Sequence, residues 1–184
     1  MYRYVRILIL GVTLLGFYSC ISNAYVFDQK SAYLSCNLEL VIPTANGVER
    51  VNGVIRVLKD ECIQVSLRAP MLRSEVAFLE YRTDSLTVVD RKNKLFANSG
   101  FPIKYTRGIY ILSLMELQNV LFKASTSKKK NTYLLASEFG WTLFDRAVVR
   151  LWGFKSERFE LRNKNLPKKY SETSLDTLLY GVEQ

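Results

Sequence analysis

Residues 34–47 read Leu-Ser-Cys-Asn-Leu-Glu-Leu-Val-Ile-Pro-Thr-Ala-Asn-Gly, and the alternation in the first nine decides the fold class. Leu34, Cys36, Leu38, Leu40 and Ile42 fall on one side of an extended chain, with Ser35, Asn37 and Glu39 on the other. That is the period of a strand buried on one face. Pro43 to Gly47 then supply the turn chemistry that closes it. The same pattern recurs downstream. Val51 to Leu58 reads as a second strand, Lys59-Asp60-Glu61 as a tight polar turn, and Cys62 to Arg68 as a third strand with Ile63, Val65 and Leu67 facing in. Glu75 to Tyr81 and Ser85 to Asp90 make a hairpin across Arg82-Thr83-Asp84, and Leu95 to Asn98 follows. Each strand keeps one face that tolerates polar residues, so the expectation is an antiparallel meander solvated on one side.

The strongest helix signal lies at Leu114 to Phe122. Ser113 is placed as N-cap with Glu116 three residues on, a capping box, and Leu112 and Leu117 occupy the positions of a hydrophobic staple. Eight of the twelve residues from Ile111 to Phe122 are apolar, which implies that more than one helix face is covered. The helix is therefore expected inside a curved sheet. A basic loop, Ser125 to Asn131, leads to a second strand set: Thr132–Ser137, Gly140–Phe144, Ala147–Phe154 and Arg158–Arg162. Ala24 to Tyr33 has the spacing of a short amphipathic helix. Leu175, Leu178 and Leu179 are helically spaced in a C-terminal stretch, 171–184, that either docks as one turn or remains a tail. The expected class is mostly β with helices (α+β), in one domain spanning 34–170.

The N-terminus belongs to export and not to the fold. Arg3 and Arg6 precede an eleven-residue apolar run, Ile7 to Phe17, too short to span a bilayer core of roughly 30 Å. Phe17-Tyr18-Ser19-Cys20 resembles a bacterial lipobox, which implies cleavage of residues 1–19 and acylation of Cys20. Several acyl chains, at about 0.8 kcal/mol per buried CH₂, anchor a protein where one binds only reversibly. A competing cut after Ser22-Asn23-Ala24 fits soluble secretion. The sorting residues after Cys20 carry no acidic cluster, which resembles lipoproteins held at the periplasmic face of the outer membrane.

Composition excludes several chemistries. The 184 residues contain no histidine, which removes imidazole bases and His-ligated zinc, and three cysteines cannot form a four-thiolate metal cluster. Hydrophobic residues at 48% against 23% charged describe a chain able to fill a core. No phosphate-cradling glycine loop, nucleophile elbow or metal spacing occurs, so neither a catalytic residue nor a cofactor or metal is assigned. Cys36 and Cys62 would pair in an oxidising compartment, but strand parity opposes it. Cys36 sides with the apolar face and Cys62 with Gln64, Ser66 and Arg68 on the polar one, too far apart for a Cβ separation of about 3.5–4.5 Å.

The net charge is +9, of which +7 remains after residue 19, concentrated beyond the central helix. Lys128, Lys129 and Lys130, with Lys168 and Lys169, define a basic patch that either meets anionic headgroups or an acidic envelope assembly partner, or is simply solvated. Nucleic acid is not an expected partner for an exported chain, and a monomer is expected.

Two sequence stretches carry a family likeness. Arg68-x-Pro70-x-x-Arg73-x-Glu75 runs into a hairpin turning at Thr83-Asp84, and Asp84 to Arg91 is followed far downstream by Leu166-Pro167-Lys168-Lys169-Tyr170. Together with the element order they resemble the LolA/LolB-like lipoprotein-carrier superfamily, most closely uncharacterised Bacteroidetes outer-membrane lipoproteins, over most of residues 34–170. The resemblance implies a strongly curved antiparallel half-barrel wrapping one central apolar helix and leaving a cavity for acyl chains or a lipoprotein's lipid. Its lining would be Leu38, Leu40, Ile55, Val57, Ile63, Val65, Leu67, Phe78, Leu114, Leu117 and Leu121, which equally describe an ordinary core. It also implies a membrane-touching loop, Pro70-Met71-Leu72 between Arg68 and Arg73, with the arginines on headgroups and Leu72 beneath. The alternative tucks Met71 and Leu72 under a sheet corner. Two functions follow: an outer-membrane acceptor of lipidated proteins, or a non-enzymatic assembly or structural lipoprotein acting through its basic surface.

Overall fold

A computed structural model describes residues 31–69, 74–101, 103, 111–139, 146–162, 166 and 168–180. The alternating segments become β1 (Tyr33–Thr44), β2 (Gly47–Leu58), β3 (Cys62–Arg68), β4 (Glu75–Arg82), β5 (Ser85–Asp90) and β6 (Leu95–Gly100). These six pair as an antiparallel meander. The chain then forms α1 (Leu114–Ser125) and arrives at the far edge of the sheet. There β7 (Asn131–Leu135), a 3₁₀ turn (Ala136–Phe139) and β8 (Val148–Lys155) follow, with β8 antiparallel to both β1 and β7. Finally β9 (Ser171–Glu172) lies parallel to β6 at the opposite edge and α2 (Leu175–Tyr180) packs on β6. The order is β7-β8-β1-β2-β3-β4-β5-β6-β9.

This mixed nine-stranded sheet corrects the expected half-barrel around a central helix. The capping box is present, but α1 buries one stripe only: Leu114, Leu117, Gln118, Leu121, Ala124 and Ser125. Met115 on the other side is 51% exposed, and Glu116, Asn119 and Lys123 face solvent. Ile111 and Leu112 precede the first helical turn, so the apolar count that suggested a wrapped helix mixed loop and helix residues. A stripe at i, i+3, i+4, i+7 needs one covered face, and the sheet supplies it.

The core is the apolar face of β1 to β5 closed by that stripe. Leu34, Cys36, Leu38 and Leu40 join Ile55, Val57, Ile63, Val65, Tyr81, Leu86 and Val88, together with α1 and with Val149 and Leu151 of β8, in one buried cluster. Two glycines let the strands approach this closely. A Cβ on Gly53 would lie 2.5 Å from the Ser66 carbonyl oxygen and 3.1 Å from Leu38. Gly153 sits at φ +65°, where the β1–β8 register slips between Ser35 and Asn37.

On the helix side, Gln118 ties α1 to the β2–β3 turn. Its Oε1 accepts the Asp60 backbone N–H at 2.7 Å, and its Nε2 donates to Asp60 Oδ1 at 2.9 Å. Asp60 has φ 61°, the left-handed region an aspartate tolerates better than most residues. Within the polar turn, the Asp60 carboxylate is thus a structural acceptor.

Three further expectations are resolved. Arg158–Arg162 is not a strand; it is irregular chain outside the ladders. Of the C-terminal stretch, residues 171–180 dock, through β9 and α2. Cys36 and Cys62 form no disulfide and are buried on opposite faces, the arrangement that strand parity favoured. The expected strand Gly140–Phe144 lies outside the described residues, as do Cys20, the lipobox and positions 24–30 of the expected N-terminal helix, whose last residue, Tyr33, instead opens β1.

Two measurements follow. Gly53→Ala should lower unfolding free energy in a urea titration by about 1–3 kcal/mol, since the new Cβ meets backbone that cannot swing aside. Burial pushes the Cys36 thiol pKa far up, so the native protein at mildly alkaline pH should leave Cys36 unlabelled by iodoacetamide while the urea-unfolded chain reacts.

Candidate functional site: the strapped polar face

Strand period places Cys62, Gln64, Ser66 and Arg68 of β3 together on the face opposite the core. Register then sets their neighbours. Gln64 stands between Arg56 and Glu80, and Ser66 between Val54 and Phe78. At Arg68 the ladder bulges, so that Arg68 opposes Asn52 on one side and Glu75 on the other. Bulges of this kind re-aim side chains.

The sequence pattern marks this face as solvated; instead residues 156–162 run over it as a strap. Phe159 meets Tyr33 edge to face at 5.2 Å between centroids, and the Arg56 guanidinium lies 5.8 Å from the Phe159 ring. Farther along, Gln64 treats the Arg162 backbone as a ladder partner. Its Nε2 donates to the Arg162 carbonyl at 2.8 Å, and its Oε1 accepts the Arg162 N–H at 2.9 Å. The same Nε2 donates to Glu80 Oε2 at 2.8 Å, and Arg82 reaches Glu80 Oε1 at 2.8 Å. Tyr170 then lies under the Arg91 guanidinium at 5.6 Å, just before β9.

Glu75 organises the cations. Its carboxylate accepts from Ser66 Oγ at 2.6 Å, Arg91 Nε at 3.1 Å and Arg162 Nη1 at 2.9 Å. One carboxylate therefore serves two guanidinium groups, and Glu80 serves Arg82. Burial works against the Arg91 charge, but bonds to Tyr170 and Glu75 more than offset it and its proton is held more tightly than usual. Arg56 moves the other way: burial first, then the charges of Arg162 and Arg68, lower its affinity for its proton. Among the described residues, neither Arg56 nor Arg68 has a carboxylate within ion-pair distance. Between them lies a shallow cleft open to solvent and enclosing only about 10 Å³, its walls carrying Arg56, Arg68 and Arg162 over Val54 and Phe78.

Other sequence-derived candidates separate in space. Leu38, Leu40, Ile55, Val57, Ile63, Val65, Leu114, Leu117 and Leu121 share the buried cluster, with Leu67 half-buried against it. Phe78 lies on the opposite face, under the arginine cleft. The basic patch does not assemble: Lys128, Lys129 and Lys130 are exposed just before edge strand β7, whereas Lys168 and Lys169 are exposed before β9 at the other edge. Of the loop candidates Arg68 lines the cleft, while Met71, Leu72 and Arg73 lie outside the described residues. The residues missed from sequence are Arg56, Gln64, Glu75 and Arg162. Hairpin register across Lys59-Asp60-Glu61 could have placed Arg56 beside Gln64; nothing local could have brought Arg162 to them. A scan against protein-family models finds no match, and a search of curated proteins finds none either.

The clamp makes a quantitative prediction. Gln64→Leu removes both strap bonds and one donor to buried Glu80, and should cost about 1–3 kcal/mol in a denaturant titration. Hydrogen exchange should accelerate at the Arg162 amide more than at β1 and β2 amides.

Proposed function

We propose that this chain is a non-enzymatic lipoprotein of the cell envelope, tethered by an acylated Cys20 at the periplasmic face of the outer membrane, that docks anionic groups through its strapped polar face. The observation that carries the docking part is the gathering of Arg56, Arg68 and Arg162 along one cleft, where the carboxylate that Arg162 bonds, Glu75, is shared with Arg91. Its carboxylates support a binding role over catalysis: Glu75 and Glu80 are each engaged as multiple hydrogen-bond acceptors. A carrier of acyl chains would have to insert them among Leu38, Leu40, Ile55 and Leu117, which are 0–4% exposed and packed in one cluster. Docking at the arginine face displaces none of them. The tether rests on the lipobox-like Phe17-Tyr18-Ser19-Cys20 and the short apolar run before it.

Mass spectrometry of the membrane-extracted protein is expected to find a mature N-terminus at acylated Cys20, in the outer-membrane fraction of a density gradient. Cys20→Ser should release the chain from that fraction. An unmodified N-terminus at Tyr25 would overturn the tether.

A further inference from the structure

Three cations around one small space repel each other, and a fold keeps them there at a cost unless something of opposite charge arrives. Two features hold them in place independently of any ligand. The Arg56 guanidinium rests over Phe159, and Arg162 is fixed at its backbone by Gln64 and at its side chain by Glu75. Arg68 comes from the other wall, beside the bulge at which Val76 is the extra residue on β4. Gln64 cannot neutralise or receive an anion, because its amide is already bonded to Arg162 and Glu80. Glu75 is shared between Arg91 and Arg162 and leaves the cleft positive.

We propose that Arg56, Arg68 and Arg162 form a shallow surface site for a phosphate group, carried by a lipid headgroup or by a small phosphorylated molecule. The planar guanidinium fork matches the oxygen spacing of phosphate and donates paired, charge-assisted hydrogen bonds. Three such groups converging on one site favour a multiply charged tetrahedral oxyanion over a single carboxylate. Val54 and Phe78 beneath give the site an apolar floor, which keeps the guanidinium groups partly desolvated and strengthens their attraction for the anion. This deepens the docking half of the preceding reading and is independent of the Cys20 anchor, so an acylated N-terminus with no phosphate binding would remove the site alone.

The test titrates the full chain, purified in detergent, with inorganic phosphate by calorimetry, using acetate as the comparison anion. Phosphate should bind and acetate should bind more weakly. Arg68→Gln and Arg56→Gln should each weaken phosphate by about tenfold or more, the scale of one charge-assisted contact. Removing three charges at the distant edge with Lys128→Gln, Lys129→Gln and Lys130→Gln together should leave it unchanged. Should an arginine variant fail to fold, phenylglyoxal modification of the native chain decides instead: phosphate should protect Arg56 and Arg68, located by mass spectrometry, and not Arg50. Flotation with phosphatidylcholine vesicles, with and without phosphatidic acid, separates the sources. Arg68-dependent capture by phosphatidic acid assigns a headgroup, and phosphate binding without capture assigns a soluble ligand. Absence of phosphate binding, equal loss in the lysine variant, or no protection of Arg56 and Arg68 would overturn the proposal.

Discussion

A buried amide side chain has to satisfy several hydrogen-bonding positions at once, and Gln64 does so by joining β3 to a backbone 98 residues away. Much of the polar face depends on that constraint. Because Gln64 holds the Arg162 peptide as a ladder partner would, the strap can lie across strands with which it shares no sheet pairing. Covering the face then buries Glu80 and Ser66, and these are satisfied by Gln64, Arg82 and Glu75. Among the described residues no buried side-chain nitrogen or oxygen lacks a partner. A neutral Gln at this position does what a charged residue could not: it donates to and accepts from the backbone of one residue, Arg162, while still reaching the buried carboxylate.

Topology explains why both faces need such a clamp. The meander ends at β6, yet the next strands are laid beside β1, so the chain must cross the sheet; it crosses again to place β9 beside β6. The first crossing brings α1 over the apolar face, where leucine burial holds it and Gln118 sets its register against the β2–β3 turn. The return runs over the polar face, where little apolar area is available and hydrogen bonds and aromatic contacts substitute. Two glutamines, Gln64 of β3 on the polar face and Gln118 of α1 on the apolar one, thus each fix one long-range crossing.

The same return leg creates the candidate site. Arg56 and Arg68 belong to adjacent strands and would be ordinary solvated cations on an open sheet. Once residues 156–162 cover the neighbouring positions and add Arg162, the three share a partly desolvated cleft whose local acids are already engaged. The functional reading therefore moves from the lysine clusters, separated to opposite edges, to arginines that are scattered along the chain.

Alternation was legible wherever burial was one-sided. Cys62–Arg68 and Ser85–Asp90 coincide with strands, and Ser113 with Glu116 marks the start of α1, because period and capping are local properties of a few residues. From the same local rules came the opposite faces of Cys36 and Cys62. Arg158–Arg162 looked like a strand because alternation of apolar and polar residues does not say whether a neighbouring strand completes the ladder. The apolar run Ile111–Phe122 suggested a wrapped helix because composition does not say where the first helical turn begins or what covers each side. Sequence by itself determined the strands of the β1–β6 meander, their two faces, the capped helix and the excess of positive charge. Only the tertiary structure decided that the polar face is covered, that Gln64 meets Arg162 and that three distant arginines line one cleft, since these follow from closing loops about a hundred residues long and no local energy encodes which face the returning chain will choose.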